Sequence, residues 1–427
     1  MSSPTVNQIE NAFLPAKEIS DAERFAGRES AVKDAYYSLI AEGSNIAIVG
    51  NRGIGKTSLS RQVANIGRGD SSLLSKIGLR NDGSLDFLTV YMACGNQVRS
   101  TDELLERILT STSCLAEWIY DIPNAKKVML NYSPKFGANL FGVSVELGAS
   151  KETETTAAPA ISSHSTDVVF TNVVDAIAKE GIAKDGVLIV IDEFDQIPDP
   201  KGFASFLKAL ATNSPNVKFC IVGVARDIQA LMKEHESTDR LFAGSIIHLS
   251  PMEPEELTAI ISNAETHIGN HITFEQSARD KLVSLAQGHP YMVHLIGKFA
   301  LRGAFHEGKT TISAEDIEST LADIAQRKAD PILEGKYRKA VASSFQREIV
   351  LKAMAGAIDE QGEIWTTNAY KAALDKGVDN SSQYVGQLVT EEYGAEVEKL
   401  RERYYRFKDS LFQSYVLARP SMYKENG

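Results

Sequence analysis

Apolar and polar positions along the 427 residues follow two successive patterns. To about residue 250, short apolar runs alternate with helix-spaced stretches. Residues 45–49, 86–93, 186–191 and 217–222 are too hydrophobic for one-sided exposure and predict strands buried on both faces. Between them, residues 56–66 continue at helical spacing, and Thr101-Asp-Glu-Leu-Leu opens a capped helix. Such an alternation predicts an α/β fold with a parallel sheet. Residues 127–132 and 141–147 alternate as a hairpin would. Residues 148–166, rich in Ala, Ser, Thr and Glu, read as a mobile connector, so an insertion is expected at about 124–166.

After Pro251 the pattern turns helical, over 253–257, 277–287, 291–301 and 313–327. The last stretch predicts helices over 345–358, 367–375 and 381–392, then a two-stranded wing over 397–407. Three parts are expected: a core over 1–250, a helical lid over 251–335 and a compact module over 336–427.

Composition narrows the classes. A net charge of −11, from 45 Lys and Arg against 56 Asp and Glu, argues against a general nucleic-acid binder, whose phosphate affinity needs clustered cations. The charge is unevenly spread. From Lys336 to Gly427 there are 14 basic and 13 acidic residues, which leaves −12 for the remainder. One neutral module able to touch DNA is therefore not excluded. Cys94, Cys114 and Cys220 lack metal or disulfide spacing and read as small buried hydrophobes of a reducing compartment. No apolar run exceeds five residues, far below a membrane span, and the N-terminus has no signal-peptide pattern, so a cytoplasmic protein with no membrane partner is expected.

The chemistry sits in two motifs. Gly50-Asn-Arg-Gly-Ile-Gly-Lys-Thr57 matches GxxxxGK[ST] between a predicted strand and a predicted helix. Its glycines let backbone N–H groups face a phosphate, and the helix N-terminus adds its positive dipole end. Gly50, Asn51, Arg52, Gly53, Ile54, Gly55, Lys56, Thr57 and the following Ser58 are thus expected to bind ATP. Lys56 would reach the β- and γ-phosphates, and the Thr57 hydroxyl would hold Mg²⁺. The second motif is an apolar strand running into Asp192 and Glu193. Asp192 at the strand tip can hold the metal, and Glu193 is placed to polarise the attacking water.

With both motifs placed, the chain resembles AAA+-type P-loop ATPases of the group near origin-recognition and STAND signalling ATPases. The lead-in Asn11-Ala-Phe-Leu-Pro15 and Arg24-Phe-Ala-Gly-Arg-Glu29 is similar to that group's adenine-pocket segment, which implies Phe25, Gly27 and Arg28 around the base. The alternative is a surface turn opening a helix. Arg226 ends the strand at the sensor-one position, where AAA+ proteins usually carry Asn, Ser or Thr. Its implied role is to touch the γ-phosphate, the alternative being a pair with Asp227 or Asp195. Asp239-Arg-Leu-Phe242 resembles the arginine-finger segment, which would make Arg240 part of a neighbouring copy's site; a surface helix ending in Arg is the other reading. Gln287-Gly-His-Pro resembles the turn that starts a lid helix and implies Pro290 beside the nucleotide, while His289 is either a switch or structural. Arg403-Tyr-Tyr-Arg-Phe-Lys-Asp resembles the ending of winged-helix domains in this group.

The function expected is an ATP-binding and ATP-hydrolysing molecular switch controlling self-association or a separately encoded partner protein. The alternative is an ATP-dependent DNA-binding initiator or mobile-element regulator that uses the winged helix. Residues 381–392 contain no Lys or Arg, so phosphate contacts would fall to Lys399, Arg401, Arg403, Arg406 and Lys408 in the wing.

Overall fold

The computed structural model describes residues 3–80, 83–95, 98–132, 165–214, 216–224, 242–359 and 362–423. Five parallel strands form the central sheet: β1 (Ile46–Gly50), β2 (Phe87–Ala93), β3 (Gly186–Asp192), β4 (Val217–Gly223) and β5 (Ile246–Leu249). Their spatial order is β2-β3-β4-β1-β5, and every pairing is parallel. The α/β expectation therefore holds, with β4 between the strand of the first motif and that of the second.

Successive side chains of a strand point to opposite faces, and both faces here are covered. Ile46 and Ile48 of β1, with Leu188 and Val190 of β3, pack under the helices Glu29–Ile40 and Lys56–Gly67. Ala47, Val49, Ile189 and Ile191 pack on the other side, against the helices Thr101–Thr110, Thr166–Lys179 and Phe203–Asn213. Burial on both sides is why these strands read as unbroken apolar runs. Lys218, the one lysine or arginine of the five strands, is buried and caps the helix Glu29–Ile40 by donating to the Ser38 and Ala41 carbonyls. Burial pushes its ammonium down to about 8.

One expected element is wrong. Residues 127–132 are not a hairpin strand but the end of the helix Pro123–Tyr132. Ile122, Ala125 and Met129 are buried at helical spacing, and an alternation only a few residues long cannot outweigh that stripe. The partner strand expected at 141–147 and most of the 148–166 connector lie outside the described residues, although Thr166 itself opens a helix.

The helices Pro254–His267, Gln276–Ala286, Pro290–Glu307 and Ala314–Arg327 stand at the expected places. A further helix, Pro331–Val341, crosses the boundary expected at 335/336. The last stretch holds the helices Phe345–Gly356, Thr366–Leu374, Ser381–Leu388 and Ser410–Ala418. The hairpin Val397–Arg401 and Tyr404–Phe407 forms as expected and is joined by a third short strand, Ile364–Trp365. All helices after residue 254 share one continuous apolar core, which also takes in Ile9 and Phe13 from the N-terminal lead-in. Among the described residues, no helix is long and apolar enough to cross a membrane.

Candidate active site

β1, β3 and β4 end at the same edge of the sheet, where ligands of open α/β sheets are received. A cavity of about 870 Å³ opens there, the size of a small-molecule site. Its floor is the loop between β1 and the helix Lys56–Gly67. Gly53 (φ +73°) and Gly55 (φ +101°) take left-handed conformations that a side chain would strain. Gly55 is also the N-cap of that helix, and among the described residues no side chain caps the first turn. Its amides are thus left to an anion. Lys56 Nζ donates to the carbonyls of Gly50 and Asn51, both at 3.0 Å. Burial lowers the Lys56 ammonium from its usual range, while Asp195, Asp192 and Glu193 pull it back up.

Across the cavity stands the end of β3. Asp192 is buried, and its Oδ1 accepts from the Glu193 amide at 2.8 Å. Its Oδ2 accepts from the Tyr91 hydroxyl at 2.7 Å. Glu193 is exposed and holds φ +57°, a conformation uncommon for a side-chain-bearing residue and frequent at working sites. One carboxylate and one hydroxyl, Asp192 and Thr57, make a sparse donor set. That suits Mg²⁺, which keeps waters and substrate phosphate oxygens in its shell.

The far end of the cavity is apolar and joins three parts of the chain: Leu14 and Phe25 of the lead-in, Met252 and Ile260, and His294. His294 Nδ1 accepts from the Leu14 amide at 3.2 Å, which fixes its tautomer, and burial pushes its pKa down to about 4. The lead-in is stitched to the phosphate-loop helix at the same time. The Ile19 amide donates to Ser58 Oγ at 3.1 Å, and Gln62 Nε2 donates to the Ile19 carbonyl at 3.0 Å.

Most of the sequence-expected residues line this cavity: Phe25, Arg28, Arg52, Gly53, Ile54, Gly55, Lys56, Thr57, Ser58, Asp192, Glu193 and Pro290. Gly27, Gly50 and Asn51 do not. Gly27 faces Glu256, whose Oε1 would stand 2.6 Å from a β-carbon there. Arg28 lines the cavity with its guanidinium engaged, since it donates to the Ser250 and Ile54 carbonyls and so braces the phosphate loop. Arg226 and Arg240 lie outside the described residues. Sequence reasoning placed the segment holding Leu14 at the base pocket without singling that residue out, and it missed Met252, Ile260 and His294 at the apolar end. They come from segments far apart in the chain, and the one local signal was a His four residues after Pro290. It also missed Tyr91, which no motif marks.

No curated protein matches this chain. Among solved structures, the Walker-type ATPase paby2304 of Pyrococcus abyssi is similar over 94% of this chain and 98% of its own, at 13% identity and a TM-score of 0.53. The ORC2 protein of Aeropyrum pernix, in ADPNP–ADP complexes, matches over 97% of both chains at 14% identity and a TM-score of 0.47. Cdc6p of Pyrobaculum aerophilum matches over 98% of both at 11% identity and a TM-score of 0.44. At such identities the likeness is one of fold, and the Pyrococcus protein carries it. The sequence itself matches the family Novel STAND NTPase 1 over residues 14–391. Taken with the phosphate loop and its facing carboxylates, that match places the chain in the Novel STAND NTPase 1 family, as a P-loop NTPase.

Proposed function

We propose that this NTPase is an ATP-driven molecular switch whose nucleotide state sets its self-association or its hold on a partner protein. Residues 336–427 would act as a winged-helix module that carries the output, and 251–335 as the lid. One observation supports this above others: the phosphate loop touches both later parts of the chain. Gly53 packs against Tyr291, at the start of the helix Pro290–Glu307, and against Leu411, in the last helix. Any shift of the loop on nucleotide binding is felt by both.

In this reading Lys56 leaves the Gly50 and Asn51 carbonyls to meet the β- and γ-phosphates, while the uncapped amides after Gly55 donate to phosphate oxygens. Thr57 and Asp192 hold Mg²⁺, which when bound neutralises charge on the transferred phosphoryl group. Glu193 orients and deprotonates the attacking water. Phe25 and the apolar end of the cavity enclose the base. Arg226 senses the γ-phosphate, and Arg240 completes the site of a neighbouring copy, so hydrolysis depends on assembly. Three buried, free cysteines fit a reducing compartment and hence the cytoplasm.

The test compares ATP turnover of the full chain with Glu193→Gln, alongside solution mass with no nucleotide, ADP and a slow ATP analogue. A large loss of turnover with retained binding, and a mass that follows the nucleotide, are expected. Equal turnover in both proteins would refute the role of Glu193. A mass indifferent to nucleotide and to an added partner would refute the switch.

DNA binding is the second reading. Its support is the exposed hairpin bearing Lys399, Arg403 and Lys408. Arg401 and Arg406 are already spent on Glu363 and Glu398.

A further inference from the structure

Tyr91 lies on β2, where register pairs Ala93 with Asp192 of the neighbouring β3. Two residues before Ala93 and on the same face, Tyr91 sends its ring along the sheet to the Asp192 carboxylate. Three contacts then run in series. Tyr91 OH lies 2.7 Å from Asp192 Oδ2, Ser60 Oγ lies 2.8 Å from Tyr91 OH, and Ser60 Oγ lies 2.9 Å from the Thr57 carbonyl. The series begins at the main-chain carbonyl of Thr57, the residue whose hydroxyl is assigned to Mg²⁺ above, and ends at the carboxylate of Asp192, the other residue so assigned.

A proton count gives the series a direction. An ionised Asp192 and the Thr57 carbonyl can only accept, and the two hydroxyls between them own one proton each. Tyr91 must therefore give its proton to Asp192. Its oxygen is left as an acceptor for Ser60, whose single proton is divided between Tyr91 and the Thr57 carbonyl. The ring is held from its face by Arg61, whose guanidinium carbon stands 3.6 Å from the ring centroid and which pairs with Glu18 at 3.2 Å. With Oδ2 taken by Tyr91 and Oδ1 by the Glu193 amide, the carboxylate has one orientation. Each oxygen keeps a second lone pair, and Asp192 lines the cavity.

We propose that Tyr91 is a positioning residue for the metal-binding carboxylate, and that the Ser60–Tyr91 pair couples Asp192 to the first turn of the phosphate-loop helix. The inference rests on the assignment of Mg²⁺ to Thr57 and Asp192. Without the phenol, Asp192 keeps the hydrogen bond from the Glu193 amide to Oδ1, but its Oδ2 loses the partner that fixes it.

The experiment measures the affinity of the full chain for a slow ATP analogue by calorimetry, in EDTA and across a Mg²⁺ titration. It compares wild type, Tyr91→Phe and Ser60→Ala. Partners of metal-ligating carboxylates typically contribute about 10- to 100-fold to metal affinity, so Tyr91→Phe should need at least about tenfold more Mg²⁺ for half-maximal tightening. Its affinity in EDTA and its thermal midpoint should stay at the wild-type values, and Ser60→Ala should shift the Mg²⁺ midpoint less, in the same direction. Tyr91→Phe with the wild-type Mg²⁺ midpoint would overturn the proposal. So would an equal loss of affinity in EDTA, which marks a merely structural role. If Tyr91→Phe does not fold, a Ser60→Ala midpoint equal to wild type overturns it instead. A wild-type protein indifferent to Mg²⁺ would strike at the metal assignment itself, a result separate from the others.

Discussion

Leu411, the second residue of the last helix, lies against Gly53 in the phosphate loop: a β-carbon on Gly53 would stand 2.9 Å from Leu411 Cδ2. Gly53 also holds φ +73°, so two separate effects oppose any side chain there. Left-handed backbone costs a non-glycine residue roughly 1–2 kcal/mol, and the close approach adds to it. Gly53→Ala is expected to destabilise the protein and weaken nucleotide binding. Leu411→Ala, at a buried position, should cost about 2–5 kcal/mol by itself. In the double variant the cavity at 411 admits the new methyl, so the combined loss should fall short of the sum. Urea midpoints of the four proteins check this, and strict additivity would mean that the two residues do not meet in solution.

A buried ion pair fastens the last helix to the rest. Glu334, on Pro331–Val341, accepts from Arg419 Nε at 2.9 Å, from Arg419 Nη2 at 3.0 Å and from the Tyr415 hydroxyl at 2.7 Å. Glu334 and Arg419 are both buried. Removing one member of such a pair leaves the other charged and unsolvated, at a cost of about 3–5 kcal/mol. Glu334→Ala should lower stability by that order, whereas replacing both residues by apolar ones of similar volume should restore much of it. Equal losses in the single and double variants would contradict the assignment.

Why some of this was legible in the sequence follows from particular residues. Four of the five strands could be read because burial on both faces leaves few polar positions to interrupt them, whereas β5, with Ile246 and His248 exposed, was not. The phosphate loop and Asp192-Glu193 could be read because their chemistry needs fixed spacing along the chain. The helix Pro331–Val341 went unread although Asp330, which accepts from the Ile332 and Leu333 amides, and a Pro at the first helical position mark its start. Its buried stripe of Leu333, Tyr337 and Ala340 is short, and it straddles the expected boundary. The strand Ile364–Trp365 has only two residues and so no period to detect. Tyr91 and His294 reach the site by tertiary approach, and spacing along the chain does not encode that. Arg28 shows the converse. It lines the cavity, but its guanidinium serves the Ser250 and Ile54 carbonyls.

His289 sets a pH dependence. It is 2% exposed, its Nδ1 has no hydrogen-bond partner among the described residues, and burial holds its pKa down to about 4, against the pull of Asp409 and with the help of Arg28. It is therefore neutral in the folded protein at pH 7. Above about 6.5 neither state binds the proton, and stability does not depend on this group. Between about 6.5 and 4 the unfolded chain takes up a proton that the folded one refuses. Stability should fall there by about 1.4 kcal/mol per pH unit from this group alone. His289→Gln removes that contribution, so its urea-derived stability should decline less steeply from pH 6.5 to 5 than that of wild type. Parallel declines would mean that His289 titrates normally.

The hairpin near the C-terminus bounds what DNA could contribute. Its five cations are not equal, because Arg401 pairs with Glu363 and Arg406 with Glu398, whereas Lys399, Arg403 and Lys408 are exposed with no ion pair among the described residues. The helix Ser381–Leu388, which would enter a groove, contributes no Lys or Arg. At about 0.9 per phosphate neutralised, three cations predict a slope of log affinity against log salt no steeper than about −2.7. Anisotropy with a labelled duplex between 50 and 200 mM salt, the range over which phosphate contacts lose most affinity, measures it directly. A shallow slope abolished by removing the charges of Lys399, Arg403 and Lys408 is the expected result if the module meets DNA through this hairpin alone. A steeper one would require Arg401 and Arg406 to leave their carboxylates. Glu363→Gln and Glu398→Gln, which free those arginines in advance, would then tighten binding.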